Sequence, residues 1–410
     1  MREKCRDDLT SAAMTDDIVI SGHRAQPRPW HRAAAGLAAM LLGIGFSRFG
    51  FAPLIPALVQ AQWFTAPQAA YLGAANLMGY LLGAAAAHRL AQSLSPVVLI
   101  KISMLAAVAC FFACAWPLGF AWYFPWRLLA GICGGMLMVL APSAILAETP
   151  VARRGRVAGM IFTGVGSGIA LSGVLVPWLV QFGLPATWIV LGFAGVALTA
   201  LAWGGWPRHA VMPDAHKSHA ARPRLSMALL LLIAAYACTG LGFAPHTVFW
   251  VDYIARGLGR GLAIGGFYWV LLGIGAACGP MICGLIAERT GFARAFALGL
   301  PSLAFCVALP VIAPIPLALA ISSLGIGGIG LGMVVLGSGC VGELVDARHQ
   351  RQVWGWMTAA YAVTYAGGGY LLSFLFARTG SYVLLFELGG AAMLLGAILA
   401  VPGALRAKVR

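Results

Sequence analysis

Twelve runs of about twenty or more predominantly apolar residues, separated by short connections, fill this chain between residues 34 and 403. A hydrocarbon core about 30 Å thick is crossed by about 20 helical residues, so each run is long enough to span a bilayer. The predicted spans are 34–59, 67–87, 96–118, 120–147, 157–181 and 186–206, then 226–251, 262–286, 293–313, 315–341, 353–376 and 381–403. The runs are continuous and do not alternate, which excludes a strand barrel. Only 10% of the 410 residues are charged and 61% are hydrophobic, whereas a soluble domain carries roughly 25% charged residues to face water. The fold class is all-α integral membrane, with about twelve transmembrane helices and the lipid bilayer as solvent.

The net charge of +15 does not mark a nucleic-acid partner, because such readers crowd their basic residues on one face of a folded domain. Here lysines and arginines lie between the spans. The connections after the first, third, fifth and ninth spans have none, while the others hold Arg89, then Arg153, Arg154 and Arg156, then Arg208, Lys217, Arg222 and Arg224, then Arg289, Arg294, Arg348 and Arg351. Only Arg256, Arg260 and Arg378 run against the pattern. The positive-inside rule therefore places both termini and the basic loops in the cytoplasm, as in a multi-pass protein of the cell inner membrane. Residues 1–33 mix both charges without an apolar core and read as a cytoplasmic tail, not a secretory signal. Residues 404–410 form the other tail.

The stretch 207–225 lacks periodicity and reads as a cytoplasmic linker; nothing fixes its His209, His216 and His219 for a metal. Eight of the nine cysteines fall in or beside apolar runs, as small packing residues. No cofactor is implied, and there is no GxxxxGK[ST] loop to bind ATP.

The chain repeats itself. Gly50-Phe51-Ala52-Pro53 in the first span returns as Gly242-Phe243-Ala244-Pro245 in the seventh. Glu148, Ala152, Arg153 and Arg156 return as Glu343, Ala347, Arg348 and Arg351, and Gly135-Met136 returns as Gly332-Met333. Three matches in order, each about 195 residues apart, make two parallel-repeat six-helix halves, 34–206 and 226–403.

Several motifs within these halves resemble the major facilitator superfamily. Gly284-Leu-Ile-Ala-Glu288-Arg289-Thr-Gly291, with Arg294 beyond, is similar to its signature between the second and third helix of a half, and Trp126-Arg127-Leu-Leu-Ala-Gly131 to its fourth-helix motif. Gly43-Ile-Gly45-Phe-Ser-Arg48-Phe49 and Ala74-Ala-Asn76-Leu-Met-Gly79-Tyr80 resemble the YbfB/YjiJ branch. The resemblance implies secondary active transport by alternating access, with the first, fourth, seventh and tenth helices lining a central cavity. It also implies that Glu288 and Arg289 meet Arg156 at the start of the fifth span, holding the inner face shut. Glu148 and Glu343, each followed by arginines five and eight residues later (Arg156 and Arg351 the further ones), would join that network. The sequence departs from the family twice. The first half has no acid beside Arg89, and the fifth span lacks the glycine-proline pair of proton-driven drug exporters.

Ionisable groups inside the spans are the candidate site residues, because a charge at mid-bilayer costs about 2.5–3.5 kcal/mol even on lenient scales. Arg48 lies fourteen residues into its span, roughly 21 Å deep at 1.5 Å per residue, among glycines and prolines that let the helix bend. Arg127 is the second buried arginine, with either a coupling or a structural role. Together they favour a carboxylate, which pairs bidentately with guanidinium. Asn76 and Tyr80 share a helix face, as do Tyr361 and Tyr365; each pair is open to polar contact or to plain packing. His246 is either a titrating group or a packed one, and Glu387, buried in the twelfth span, either a coupling acid or one paired with a polar neighbour. Asp252 falls at a solvated outer rim.

The function that follows is a secondary transporter, not an enzyme, moving a small organic anion coupled to an ion gradient, with the proton as the expected ion. The alternative is an exporter of hydrophobic or cationic compounds by proton antiport. A receptor would need a soluble signalling domain, and an enzyme a nucleophile-base or metal cluster that the sequence does not display. Reporter fusions after residue 215 should read cytoplasm, and fusions within 61–66 should read periplasm; a periplasmic signal from the linker would overturn the two-half arrangement.

Overall fold

The computed structural model of the chain describes residues 29–207, 226–346 and 349–406. The linker histidines, Arg348 and most of the two tails lie outside them. Every regular element among the described residues is helical, and twelve helices are long and apolar enough to cross a membrane. They are α1 Trp30–Phe51, α2 Ala66–Ser93, α3 Pro96–Ala113, α4 Phe120–Ala147, α5 Arg153–Phe182, α6 Leu184–Ala202, α7 Met227–Gly257, α8 Leu262–Thr290, α9 Phe292–Ile312, α10 Pro316–Leu344, α11 Gln352–Thr379 and α12 Tyr382–Pro402.

Two helices depart from the expected straight spans, and at related places. In α1 the backbone widens to a π turn over Leu41–Phe46, then tightens to a 3-10 turn over Phe49–Phe51 before a short helix, Leu54–Gln60. Pro53 and Pro56 carry no N–H, so the carbonyls of Phe49 and Ala52 lose their usual partners four residues on. Each instead accepts from the amide three residues on, Ala52 N and Ile55 N, at 3.3 Å. α7 widens over Pro245–Phe249 and again over Tyr253–Gly257. Both breaks sit at the repeated Gly-Phe-Ala-Pro.

Close helix seams explain the glycine content. α2 packs on α4 and α8 on α10, so the repeat extends to the packing. A Cβ on Gly79 would stand 2.0 Å from Leu128 O, and one on Gly327 2.0 Å from Leu272 O. Only glycine lets two backbones approach so nearly.

The two sets of six spans meet along α2–α11 and α5–α8. These contacts run from the middle of the bundle to the end opposite the arginine-rich loops. A Cβ on Gly166 would lie 2.5 Å from Ala277 N, one on Gly273 2.4 Å from Ala170 N, and one on Gly173 2.7 Å from Gly266 O. Tyr71 and Tyr370 stack 6.3 Å apart, and a Cβ on Gly369 would meet Leu77. Toward the arginine-rich end the seams part. Nothing lies within 4 Å of a Cβ built on Gly155, Gly159 or Gly355, and Phe162 is exposed. At these positions the two sets of six spans are not packed against each other.

The ionic groups at that end differ from the expected network. Glu288 and Arg156, both exposed, do not meet, and Glu288 has no hydrogen bond or ion pair among the described residues. Arg289 is likewise exposed, and the Arg351 side chain lies outside the described set. Glu148 pairs with Arg32 at the start of α1, not with the arginines that follow it. Glu343 instead caps a helix: its carboxylate accepts from Phe292 N at 2.8 Å and Ala293 N at 3.0 Å, the first amides of α9. Gly291, with φ at +87°, makes the turn that presents them. The corresponding third span starts at Pro96, which has no N–H to offer, so Glu148 cannot cap α3 in the same way.

Two acids of one motif therefore carry different loads. Glu343→Ala should lower unfolding stability in detergent by about 1–2 kcal/mol, the worth of a charged cap at a helix start. Glu148→Ala, removing a part-exposed pair, should cost about 0–1 kcal/mol. Equal losses in thermal unfolding would contradict the capping role.

Candidate functional site

The break in α1 positions the deepest charge. Ser47 N donates to Leu42 O at 3.0 Å, closing the π turn, and Arg48 takes φ −100° and ψ −64° at the kink. In an unbroken helix the Ser47 carbonyl would accept from Phe51 N–H, which here reaches Arg48 O at 3.4 Å. The freed Ser47 carbonyl accepts instead from Arg127 Nη1 of α4 at 3.0 Å. A guanidinium thus replaces a lost backbone donor, as irregular backbone inside a membrane requires.

Both arginines lie against aromatic faces. The Arg48 guanidinium is 4.5 Å from the ring centroid of Tyr80 on α2, 4.7 Å from Tyr365 on α11 and 5.0 Å from Phe49. Arg127 lies 4.1 Å from the Phe51 centroid. Desolvated cation–π contacts of this kind are worth about 2 kcal/mol or more each, comparable with the cost of holding a guanidinium in the span. Arg48 Nε and Arg127 Nε and Nη2 have no hydrogen-bond partner.

These groups border one chamber of about 10 Å³, room for about one water. α1 and the short helix after it supply Arg48, Phe49, Phe51, Ala52 and Ile55; α2 supplies Gly73, Asn76 and Leu77; α4 supplies Arg127; α7 supplies Thr247 and Val248; and α11 supplies Tyr365. No acidic side chain is among the lining residues. Asn76 Nδ2 donates to Arg127 O at 3.2 Å, and its Oδ1 is unpartnered. Tyr365 donates to Thr247 Oγ1 at 2.8 Å. Beyond the Arg48 cage, Tyr361 stacks on Tyr365 at 5.5 Å, Tyr236 lies 5.5 Å from Tyr361, and Trp354 5.5 Å from Tyr236. This aromatic column leads from the chamber toward the arginine-rich end.

Arg48, Arg127, Asn76 and Tyr365 therefore meet at one place, with Tyr80 and Tyr361 on its arginine-rich side. Three other residues do not join them. His246 is fully buried, but it points into the core of the last six spans. Ser322 Oγ donates its proton to Cys306 O at 2.7 Å, so His246 Nε2–H donates to Ser322 Oγ, 2.8 Å away. Trp250 and Phe386 rings enclose it at 4.5 and 5.1 Å. Glu387 is exposed on the outside of α12, not buried. Asp252 is not solvated but buried, accepting from Tyr382 Oη at 2.5 Å and from Arg256 Nη1 at 3.2 Å.

Sequence reasoning missed Ser47, Phe51, Thr247, Tyr236 and Trp269. Phe51 had a signal, since it sits in the repeated Gly-Phe-Ala-Pro. Trp269 had none: it crosses from α8 to donate to Ser172 Oγ of α5 at 3.1 Å, and its ring lies 6.1 Å from Phe49. It ties the closed end of the bundle to the residue beside Arg48.

The fold has known counterparts. The chain is similar to a structure described as a crystal structure of a D-xylose-proton symporter, with a TM-score of 0.69 and 14% identity over 91% of this chain and 95% of that one. No curated protein matches the sequence. A family model described as "Uncharacterised MFS-type transporter YbfB" matches residues 40–401, nearly the whole membrane region, and the chain belongs to that family of the major facilitator superfamily: a multi-pass membrane protein of the secondary-transporter class.

Proposed function

We propose that the chain moves a small organic anion, best a carboxylate, across the cell inner membrane by alternating access, coupled to an ion gradient that is most simply a proton gradient. Both termini and the arginine-rich loops face the cytoplasm in this reading, and the halves 34–206 and 226–403 rock about the chamber. One observation carries it: the half-buried Arg48 and the buried Arg127, both with unpartnered N–H groups, line a chamber whose lining contains no acid. An anion supplies the missing counter-charge, and in a low-dielectric interior that attraction is far stronger than in water.

A cationic cargo, as the exporter alternative needs, would meet two fixed positive charges. The Arg48 cage spans the halves, since Tyr80 belongs to the first and Tyr365 to the second. A ligand that draws Arg48 toward itself loosens one set of inter-half contacts and so biases the rocking. Glu288 and Arg289 are proposed to engage Arg156 only when the arginine-rich end closes, which fits the exposure of all three in this structure. Neither His246 nor Glu387 is among the residues that line the chamber, which argues against substrate contact by either.

Uptake into proteoliposomes, with and without an imposed pH gradient, tests this. Arg48→Ala should abolish carboxylate transport while expression in the membrane persists. Arg48→Lys, which keeps charge but loses the planar guanidinium, should retain part of it. Full activity in both variants would overturn the role of Arg48, and uptake indifferent to the pH gradient would overturn proton coupling.

A further inference from the structure

We propose that the ligand carboxylate lies side-on against Arg127 and that Asn76 Oδ1 accepts a hydroxyl from the same ligand, which makes the cargo a small hydroxy-monocarboxylate. This deepens the anion reading and rests on it.

The Arg127 guanidinium has one face on Phe51 and one end nitrogen, Nη1, on the Ser47 carbonyl. What remains free is Nε together with Nη2. Those two N–H bonds are parallel and in one plane, on the edge of the group away from Cδ. That edge is the fork that matches both oxygens of a carboxylate. The side chain is 3% exposed and lines the chamber, so the fork is shielded from solvent. Arg48 is less able to act this way, since three rings crowd its guanidinium. It contributes charge, and its Nε is unpartnered.

Asn76 supplies the second half of the argument. Its Nδ2 is committed to the Arg127 carbonyl, which fixes the amide orientation and leaves Oδ1, 1% exposed, as an acceptor with no donor. A carboxylate cannot satisfy it, having only acceptors at neutral pH. The chamber holds about one water in this structure and would have to widen for a ligand, which must then bring an O–H or N–H to this acceptor. An ammonium would be repelled by two arginines, so a neutral hydroxyl is selected. Asn76 and Arg127 both line the chamber, so one ligand can present a carboxylate to the fork and a hydroxyl to the acceptor. The other lining hydroxyls are engaged with each other, and Phe51, Ile55 and Val248 give no partner for a second carboxylate.

An analogue lacking the hydroxyl leaves a buried acceptor unpaired, for an affinity loss of about ten-fold or more. The full-length protein in lipid nanodiscs, titrated with lactate, propionate, succinate and alanine, tests the proposal without any variant. Lactate should bind at least about ten-fold more tightly than propionate, and more tightly than succinate or alanine. Asn76→Ala should bring lactate down to the propionate level. Equal affinity for lactate and propionate in the unaltered protein would overturn the hydroxyl pairing while the anion reading stands, and succinate as the tightest ligand would overturn the monocarboxylate assignment. Binding of D-xylose or of a quaternary ammonium, with none of the carboxylates, would overturn the anion reading itself.

Discussion

A guanidinium keeps its proton even inside a protein, so two of them in the middle of a twelve-helix bundle oblige the surrounding structure to accommodate fixed charge. No carboxylate borders their chamber. The protein instead surrounds them with π faces (Tyr80, Tyr365 and Phe49 for Arg48, Phe51 for Arg127) and with one backbone carbonyl. That carbonyl is available only because α1 is broken, and α1 is broken because Pro53 and Pro56 remove donors from the next turn. The Gly-Phe-Ala-Pro motif thus does two things at once: it opens the backbone and places Phe51 under Arg127. What this arrangement leaves unsatisfied, the free N–H groups and the Asn76 carbonyl oxygen, is what a ligand can satisfy.

The same repeat is used unequally by the two halves. In α7 the proline-linked π turn over Pro245–Phe249 carries Thr247 and Val248 to the chamber and turns His246 away from it. At the arginine-rich end, Glu343 and Glu148 occupy equivalent positions, yet one caps α9 and the other pairs with Arg32. A single proline at the start of α3 accounts for the difference. Cross-half contacts run from the Arg48 cage in the middle of the bundle to the other end, through small residues on α5 and α8 and through Trp269 and Ser172. Small-residue seams of this kind allow one helix to slide on another with little loss of packing.

Much of this was legible in the sequence, and the reasons are physical. The spans and the repeat follow from the length and order of apolar runs. Arg48 and Arg127 stand out because membrane charge is expensive, and Asn76 and Tyr365 because they belong to same-face pairs. Which way a side chain faces was harder to read. Depth along a helix is set by counting residues, but direction around its axis shifts by about 100° for each inserted residue. The π turns in α7 therefore put His246 on a face that counting does not give. Asp252 misled for another reason: its partner Tyr382 lies 130 positions away, and only tertiary packing shows that the acid is buried. The Glu288–Arg156 contact expected from the family is not made in this structure, where both side chains are exposed.

Closure of that end offers the most direct measurement of the account, which holds that an anion on the two arginines drives the halves to close over the arginine-rich end. Spin labels at Ala85 of α2 and Gly355 of α11, both exposed, report the separation of the two halves there by double electron–electron resonance in nanodiscs. Saturating carboxylate should shorten that distance in the unaltered protein and leave it unchanged when Arg48 and Arg127 are both replaced by alanine. An unchanged distance in the unaltered protein at a carboxylate concentration shown to saturate binding, or an equal shortening without the arginines, would contradict it.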